Sequence, residues 1–318
     1  MSQAPEGIFD IIGHLDTQHL LSQSTDAHCL LLEGLPKIGK RLLAHWLGAY
    51  VNCERSNACG DCPSCRAAQQ AEHPDIWEIS PSSEVLPGKT LRRPVISIKQ
   101  IAKERDTTRE YPQHLLEWCT LGPTYFRKVA IIDGAEHLGV EAANALLKTL
   151  ERPPHNTLFI FIAAQTDAIP QTILSRCRRF YIPPVNAETL RDSKLSRLPM
   201  DSKVWLFAQG RPGVLFEHEM AEKALQDTEI WLNSLTKSLE DLLSASETLA
   251  QVFNVDWHPE GLRFHWSTWP HPERLQAEVA LSCALDFLEQ NTQNQLTLTV
   301  FGMELRAAIL QVSNCGVQ

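Results

Sequence analysis

The stretch Cys29-Leu30-Leu31-Leu32-Glu33-Gly34-Leu35-Pro36-Lys37-Ile38-Gly39-Lys40-Arg41 decides the fold. It opens with an apolar run of strand length and passes through a loop spaced G-x-x-x-x-G-K. It then enters a helical pattern carried by Leu42, Leu43, Trp46, Leu47 and Tyr50. Strand, glycine loop and helix in that order make a phosphate-binding loop. The glycines let successive backbone N–H groups converge on phosphate oxygens, the helix N-terminus adds positive potential, and Lys40 reaches the outer phosphates. Further apolar runs at Ile76–Ile79, Val129–Ile132 and Leu158–Ala163, with a shorter one at Phe180–Ile182, alternate with amphipathic stretches. The alternation predicts an α/β domain built on a parallel sheet.

The same loop lacks what hydrolysis needs. Position 41, where a Ser or Thr hydroxyl would ligate Mg²⁺, carries an arginine, which cannot coordinate a metal. The second acidic strand, Val129 to Asp133, resembles a Walker B run, yet Gly134 stands where related ATPases place the glutamate that activates water. Such a base contributes roughly 10²–10⁴ in rate, and the metal supplies much of the charge neutralisation in phosphoryl transfer. Gly34, Gly39, Lys40 and Asp133 therefore outline a degenerate nucleotide site, expected not to turn over ATP at a useful rate. For ligand occupancy, two readings stay open: a vestigial loop, and ATP or ADP bound unproductively.

Of nine cysteines, Cys53, Cys59, Cys62 and Cys65 form C-x5-C-x2-C-x2-C, interrupted by the turn formers Asn57, Gly60, Asp61, Pro63 and Ser64. Turns gather the sulfurs, and four thiolates close the tetrahedral shell of a structural Zn²⁺; an iron–sulfur cluster is the alternative for the same donors. Cys29, Cys119, Cys177, Cys283 and Cys315 are scattered and read mostly as small buried hydrophobes. His73 and His137 have no paired spacing and read as turn or core residues.

Charge divides the chain unevenly. Residues 1–183 hold 19 Lys and Arg against 20 Asp and Glu, whereas residues 184–318 hold 10 against 18. An acidic second half is a poor binder of a phosphate backbone, so any DNA would be held mainly by partners. No apolar run reaches membrane-spanning length and the start lacks a signal-peptide pattern, which predicts a cytoplasmic protein without membrane contact. After Pro183-Pro184 the strand signal fades and helices are expected at Lys203–Gln209, Ile230–Leu243 and Arg274–Gln290, broken at Gly210–Gly213 and Pro270–Pro272.

Several segments together, in this order, resemble the bacterial clamp-loader AAA+ ATPases. They are Ile11-Ile12-Gly13-His14, the phosphate loop, the cysteine knuckle after its helix, Asn144-Ala145-Leu146-Leu147-Lys148-Thr149-Leu150-Glu151-Arg152-Pro153-Pro154, and Thr172-Ile173-Leu174-Ser175-Arg176-Cys177. The resemblance covers about residues 10–215. It implies a RecA-like parallel-sheet domain over 1–183 with a zinc module at 53–65, a helical lid over 184–220 and an all-α collar domain over 221–318. It also implies gamma/tau and delta subunits as partners in a hetero-oligomer that loads a sliding clamp onto primed DNA for DNA polymerase III. Arg176, which in isolation would read as a surface ion pair, is on this resemblance the finger that completes a neighbouring ATP site. The degenerate pocket then marks a non-hydrolysing subunit. Two other readings stand beside it: an active gamma/tau-type ATPase, and a zinc-knuckle nucleic-acid-binding module. Arg152 departs from the second acidic residue usual there, and Gly213 occupies the place of a sensor arginine, with Arg211 nearby.

Overall fold

A computed structural model describes residues 9–81, 94–102, 114–193, 198–289 and 293–315. Of these, the residues up to 193 together with 210–213 form one compact unit, and 198–209 with 214–315 form a second.

The first unit is a five-stranded sheet of β1 (Cys29–Glu33), β2 (Ile76–Ile79), β3 (Lys128–Asp133), β4 (Thr157–Ala163) and β5 (Arg178–Tyr181), in the order β2-β3-β4-β1-β5. All pairings are parallel. The central strands are apolar along their length because both sheet faces are covered, as parallel sheets require. Alternate residues feed opposite cores. Leu31, Ala130, Ile132, Phe159 and Phe161 pack on the face covered by the helix Val140–Glu151, while Leu30, Leu32, Val129, Ile131, Leu158 and Ile160 pack on the face covered by the helix Lys40–Val51. In this topology the carboxyl ends of the strands form the crevice where ligands bind. The register Leu30↔Arg178 to Glu33↔Tyr181 puts the phosphate loop at that end and the start of β5 at the other.

Buried polar groups tie loops to the sheet. Asn52 satisfies all four of its hydrogen bonds: its amide donates to Gly48 O and Arg127 O, and its carbonyl accepts from Phe126 N and Arg127 N. The Arg127 guanidinium donates to Thr25, Ala27 and Thr157 carbonyls.

The second unit is helical around its own core. Trp231 stacks on Phe301 at 5.1 Å, and its indole donates to Ser246 Oγ at 3.0 Å. Gly302 allows this close packing, since a Cβ there would sit 3.1 Å from Trp231 Cζ2 and 2.7 Å from Leu242 Cδ1. The single helix expected over 230–243 is two: one ends at Ser234 and the next begins at Leu239. The break is local chemistry. Ser238 caps the second helix by accepting from Asp241 N, while the Asp241 carboxylate accepts from Ser238 N, a reciprocal box that outcompetes helix continuation. The helix expected at Arg274–Gln290 runs His271–Glu289, and Gln290 lies outside the described residues. No helix among the described residues is long and apolar enough to cross a membrane.

Candidate functional site

At the carboxyl end of the sheet the phosphate loop leaves β1 through Gly34 and enters the helix at Gly39. Gly34 has φ 153° and runs so close to β5 that a Cβ would lie 2.7 Å from Ile182 O, and Gly39 at φ 104° adopts a backbone conformation foreign to L side chains. The Lys40 ammonium is buried and turned back on its own loop, donating to Gly34 O at 2.6 Å and Leu35 O at 2.7 Å. Burial lowers its pKa to about 8, against the pull of Glu136 and Asp133. His14 donates from Nε2 to Ile38 O at 3.0 Å, bracing the loop from the N-terminal side.

The neighbouring positions show how Arg41 and Gly134 are accommodated. Arg41 Nε lies 2.7 and 2.8 Å from the two carboxylate oxygens of Glu78, which also accepts from His45 Nε2 at 2.5 Å. Burial opposes ionisation of Glu78, but these two donors overcome it and hold the carboxylate below its usual range. Asp133, at the end of β3, is pushed up by burial and by the Glu78 carboxylate, with Arg41 and Lys40 working the other way. The Arg41 guanidinium, paired with Glu78, thus places positive charge near Asp133. Gly134 adopts φ 72°, and a Cβ there would meet the Pro81 side chain at 2.9 Å, so a glutamate in this conformation would be strained and crowded. Gly213 donates its N–H to Lys37 O at 2.9 Å, and a Cβ at 213 would lie 2.8 Å from that oxygen, leaving no room for an arginine side chain. Arg211 is buried. Glu136, which the sequence reading passed over, joins the pocket's acidic groups: one of its oxygens accepts from Ala164 N at 2.9 Å and the other is buried without a hydrogen-bond partner.

The sulfurs of Cys53, Cys59, Cys62 and Cys65 lie within 4.8 Å of one another. Left-handed residues at Ser56, Ala58 and Gly60 fold the segment back, and Cys62 caps the helix Pro63–Gln69 with its sulfur accepting from Cys65 N. Burial works against the charged forms of Cys53 and Cys62, but the surrounding donors prevail, so Cys53 falls to about 6 and Cys62 falls as well. Burial and the neighbouring thiols push Cys65 up. Four thiolates at about 2.3 Å from one ion stand about 3.8 Å apart, so a slight contraction of this cluster suits a structural metal. The knuckle is pinned by Ser64: the buried His73 accepts from Asp75 N at Nδ1, which leaves Nε2 to donate to Ser64 Oγ at 2.9 Å. Asp75, fully buried, accepts from Thr124 N, Tyr125 N and Lys128 Nζ.

At the opposite end of the sheet Arg176 precedes β5. Its Nη1 donates to Thr172 O at 2.7 Å and its Nη2 to Glu151 Oε1 at 2.7 Å. Directly after it, Cys177 brings its sulfur 2.8 Å from that of Cys29, a pairing across 148 residues that no local pattern announces. Cys29 is a buried hydrophobe as expected, while Cys177 is only half-buried and Cys283 is exposed.

A model of the family described as DNA polymerase III, delta subunit, matches residues 14–186. The delta-prime subunit of DNA polymerase III from Escherichia coli is 33% identical over 298 residues, which cover 80% of this chain and 81% of that protein. This chain belongs to the delta-prime clamp-loader family. The Pseudomonas aeruginosa delta-prime subunit is 34% identical over 154 residues, 48% of this chain and 42% of that protein, so the chain spans under half the length of that relative. The Escherichia coli tau subunit is 29% identical over 198 residues, 59% of this chain and 27% of that one. As a delta-prime family member the chain has the AAA+ fold and a clamp-loader role, and its four-cysteine cluster is one that can hold a metal ion.

Proposed function

We propose that this chain is a non-hydrolysing clamp-loader subunit that completes a neighbouring subunit's ATP site in trans through Arg176. One observation carries the reading: Arg176 and the chain's own phosphate loop belong to opposite ends of the sheet. Arg176 lies before the register pair Leu30↔Arg178, and the loop begins after Glu33↔Tyr181. At about 3.3 Å per strand residue the separation is roughly 15–20 Å, beyond the reach of an arginine side chain. The guanidinium is therefore unavailable to its own pocket and sits at the surface, with 31% of its side chain exposed. An arginine supplied in trans is worth about 10³–10⁵ in rate.

The pocket itself counts against the active gamma/tau-type reading. Arg41 is committed to Glu78, Gly134 cannot give way to a base without strain, and Lys40 is satisfied by loop carbonyls. The acidic second half weighs against a nucleic-acid-binding module. Within this function the lid spans 184–220 and the collar 221–318. Exposed apolar residues on the collar helices, Leu275, Val279 and Phe287 on one and Leu296, Val300 and Met303 on the next, suit burial against gamma/tau and delta subunits. Cys53, Cys59, Cys62 and Cys65 would hold Zn²⁺ as a structural ion, which orders the 53–65 segment and takes no part in phosphoryl transfer.

The test is phosphate release by the clamp loader reconstituted with gamma/tau and delta subunits, sliding clamp and primed DNA. The isolated chain should release no phosphate above background, and Arg176→Ala should lower the rate of the complex by about a thousandfold. Unchanged turnover with Arg176→Ala would remove the trans assignment.

A further inference from the structure

We infer that Glu151 is a positioning residue for Arg176, holding the guanidinium in its working rotamer before a neighbouring nucleotide arrives. The inference rests on the trans reading above and deepens it. Glu151 is the last residue of the helix Val140–Glu151, which stops there because Arg152 precedes Pro153-Pro154 and the residue before a proline is driven out of helical backbone; Arg152 has φ −136° and ψ 73°. The stop fixes the carboxylate beside the turn that carries Arg176.

Two anchors then act on different amino groups of one planar cation. Nη1 donates to Thr172 O at 2.7 Å, with Ser175 Oγ at 3.5 Å, and Nη2 donates to Glu151 Oε1 at 2.7 Å. A guanidinium has five N–H donors in a fixed fork, so this arrangement sets its plane and leaves Nε–H and the second Nη2–H for phosphate oxygens. With the Arg176 side chain 31% and the Glu151 side chain 55% exposed, water screens the pair. An ion pair this wet contributes little to stability, and its consequence is orientation. Freed of Glu151, the long side chain would search many rotamers and meet the phosphate in the right geometry less often, and a misplacement of about 1 Å at such a group costs up to a hundredfold in rate.

The experiment uses the reconstituted complex and measures ATP hydrolysis stimulated by clamp and primed DNA. Glu151→Ala should lower kcat about tenfold with KM for ATP changed less than about twofold. Glu151→Gln, which keeps a carbonyl acceptor, should restore the rate to within about threefold of the native complex. Adding Glu151→Ala to Arg176→Ala should cost nothing more, because one acts only through the other. A native kcat in Glu151→Ala alongside a large loss in Arg176→Ala would overturn the positioning role alone. So would an additive double variant, or a change confined to KM. No loss in Arg176→Ala would instead overturn the trans reading on which it stands.

Discussion

The two ends of the parallel sheet use their cations differently. At the carboxyl end Lys40 is buried and turned onto the carbonyls of its own loop, and Arg41, itself 65% exposed, is paired with a Glu78 carboxylate only 15% exposed, in surroundings where burial lowers Lys40 to about 8 and raises Asp133. At the amino end Arg176 is held by one carbonyl and by a Glu151 carboxylate that is 55% exposed, so water screens this pair more than it screens Glu78. A pocket whose charges already neutralise one another has little left to offer a metal–nucleotide complex, whereas a screened surface guanidinium can be handed to a phosphate at small cost.

The strongest way to break this contrast is to refit the carboxyl end. Gly134→Glu places a carboxylate directly after Asp133, but it forces a side chain onto φ 72° and against Pro81. The expected result is a loss of roughly 3–5 kcal/mol, combining left-handed strain with overpacking, and no gain in phosphate release, alone or with Arg41→Thr. Chemical denaturation and a phosphate assay check it. Turnover appearing in a stable Gly134→Glu, Arg41→Thr chain would show that the pocket lacked only two side chains and was not closed by its backbone.

A smaller effect sharpens the contrast by isolating the knuckle from both ends. The buried members of the knuckle cluster are Cys53, Cys62 and Cys65, a set separate from the two sheet cores. Cys59→Ser should therefore lower zinc affinity at least about a hundredfold, near 3 kcal/mol, and speed amide exchange over 53–65 while β3 and β4 stay protected. Metal analysis with hydrogen exchange reads both. Full zinc content in Cys59→Ser, or none in the native chain, would reject the four-thiolate ion.

How far the sequence carried this contrast depends on the range of the interactions. The strands, the glycine loop and the cysteine spacing are local patterns, and the structure keeps each within a residue or two, since continuous apolar runs and turn formers act on their immediate neighbours. Arg41 and Gly134 were also visible as departures from a motif. The reasons behind them were not, because Glu78 and Pro81 reach those positions only through the β2–β3 pairing. Glu151 and Arg176 both stood in the motif segments, 25 residues apart, yet their hydrogen bond depends on where a helix stops and a later turn begins. Cys29 and Cys177 meet because of the β1–β5 register. The helix break at 235–238 rests on a local signal, Ser238 with Asp241 three residues on, which the apolar periodicity running across it masks.

The smallest expected effect concerns Lys40 and tests whether the carboxyl end is sealed by charge. A lysine whose folded pKa is about 8, against 10.5 for the ordinary side chain, binds fewer protons than the unfolded chain does between those values. Stability must then rise with pH across that window, because the unfolded state is the one that keeps its proton. The penalty is fully present below pH 8 and relieved as the ammonium discharges, a gain of about 2 kcal/mol between pH 8 and 10. Lys40→Met removes the titrating group, so the difference between the two unfolding curves should shrink by that amount over the same range while trans activation of the neighbour stays native. Parallel pH dependences for the two proteins would mean that Lys40 is as well solvated as a surface lysine. The loop would then be open at this end, and the two ends of the sheet would differ in which groups they carry but not in how those groups are engaged.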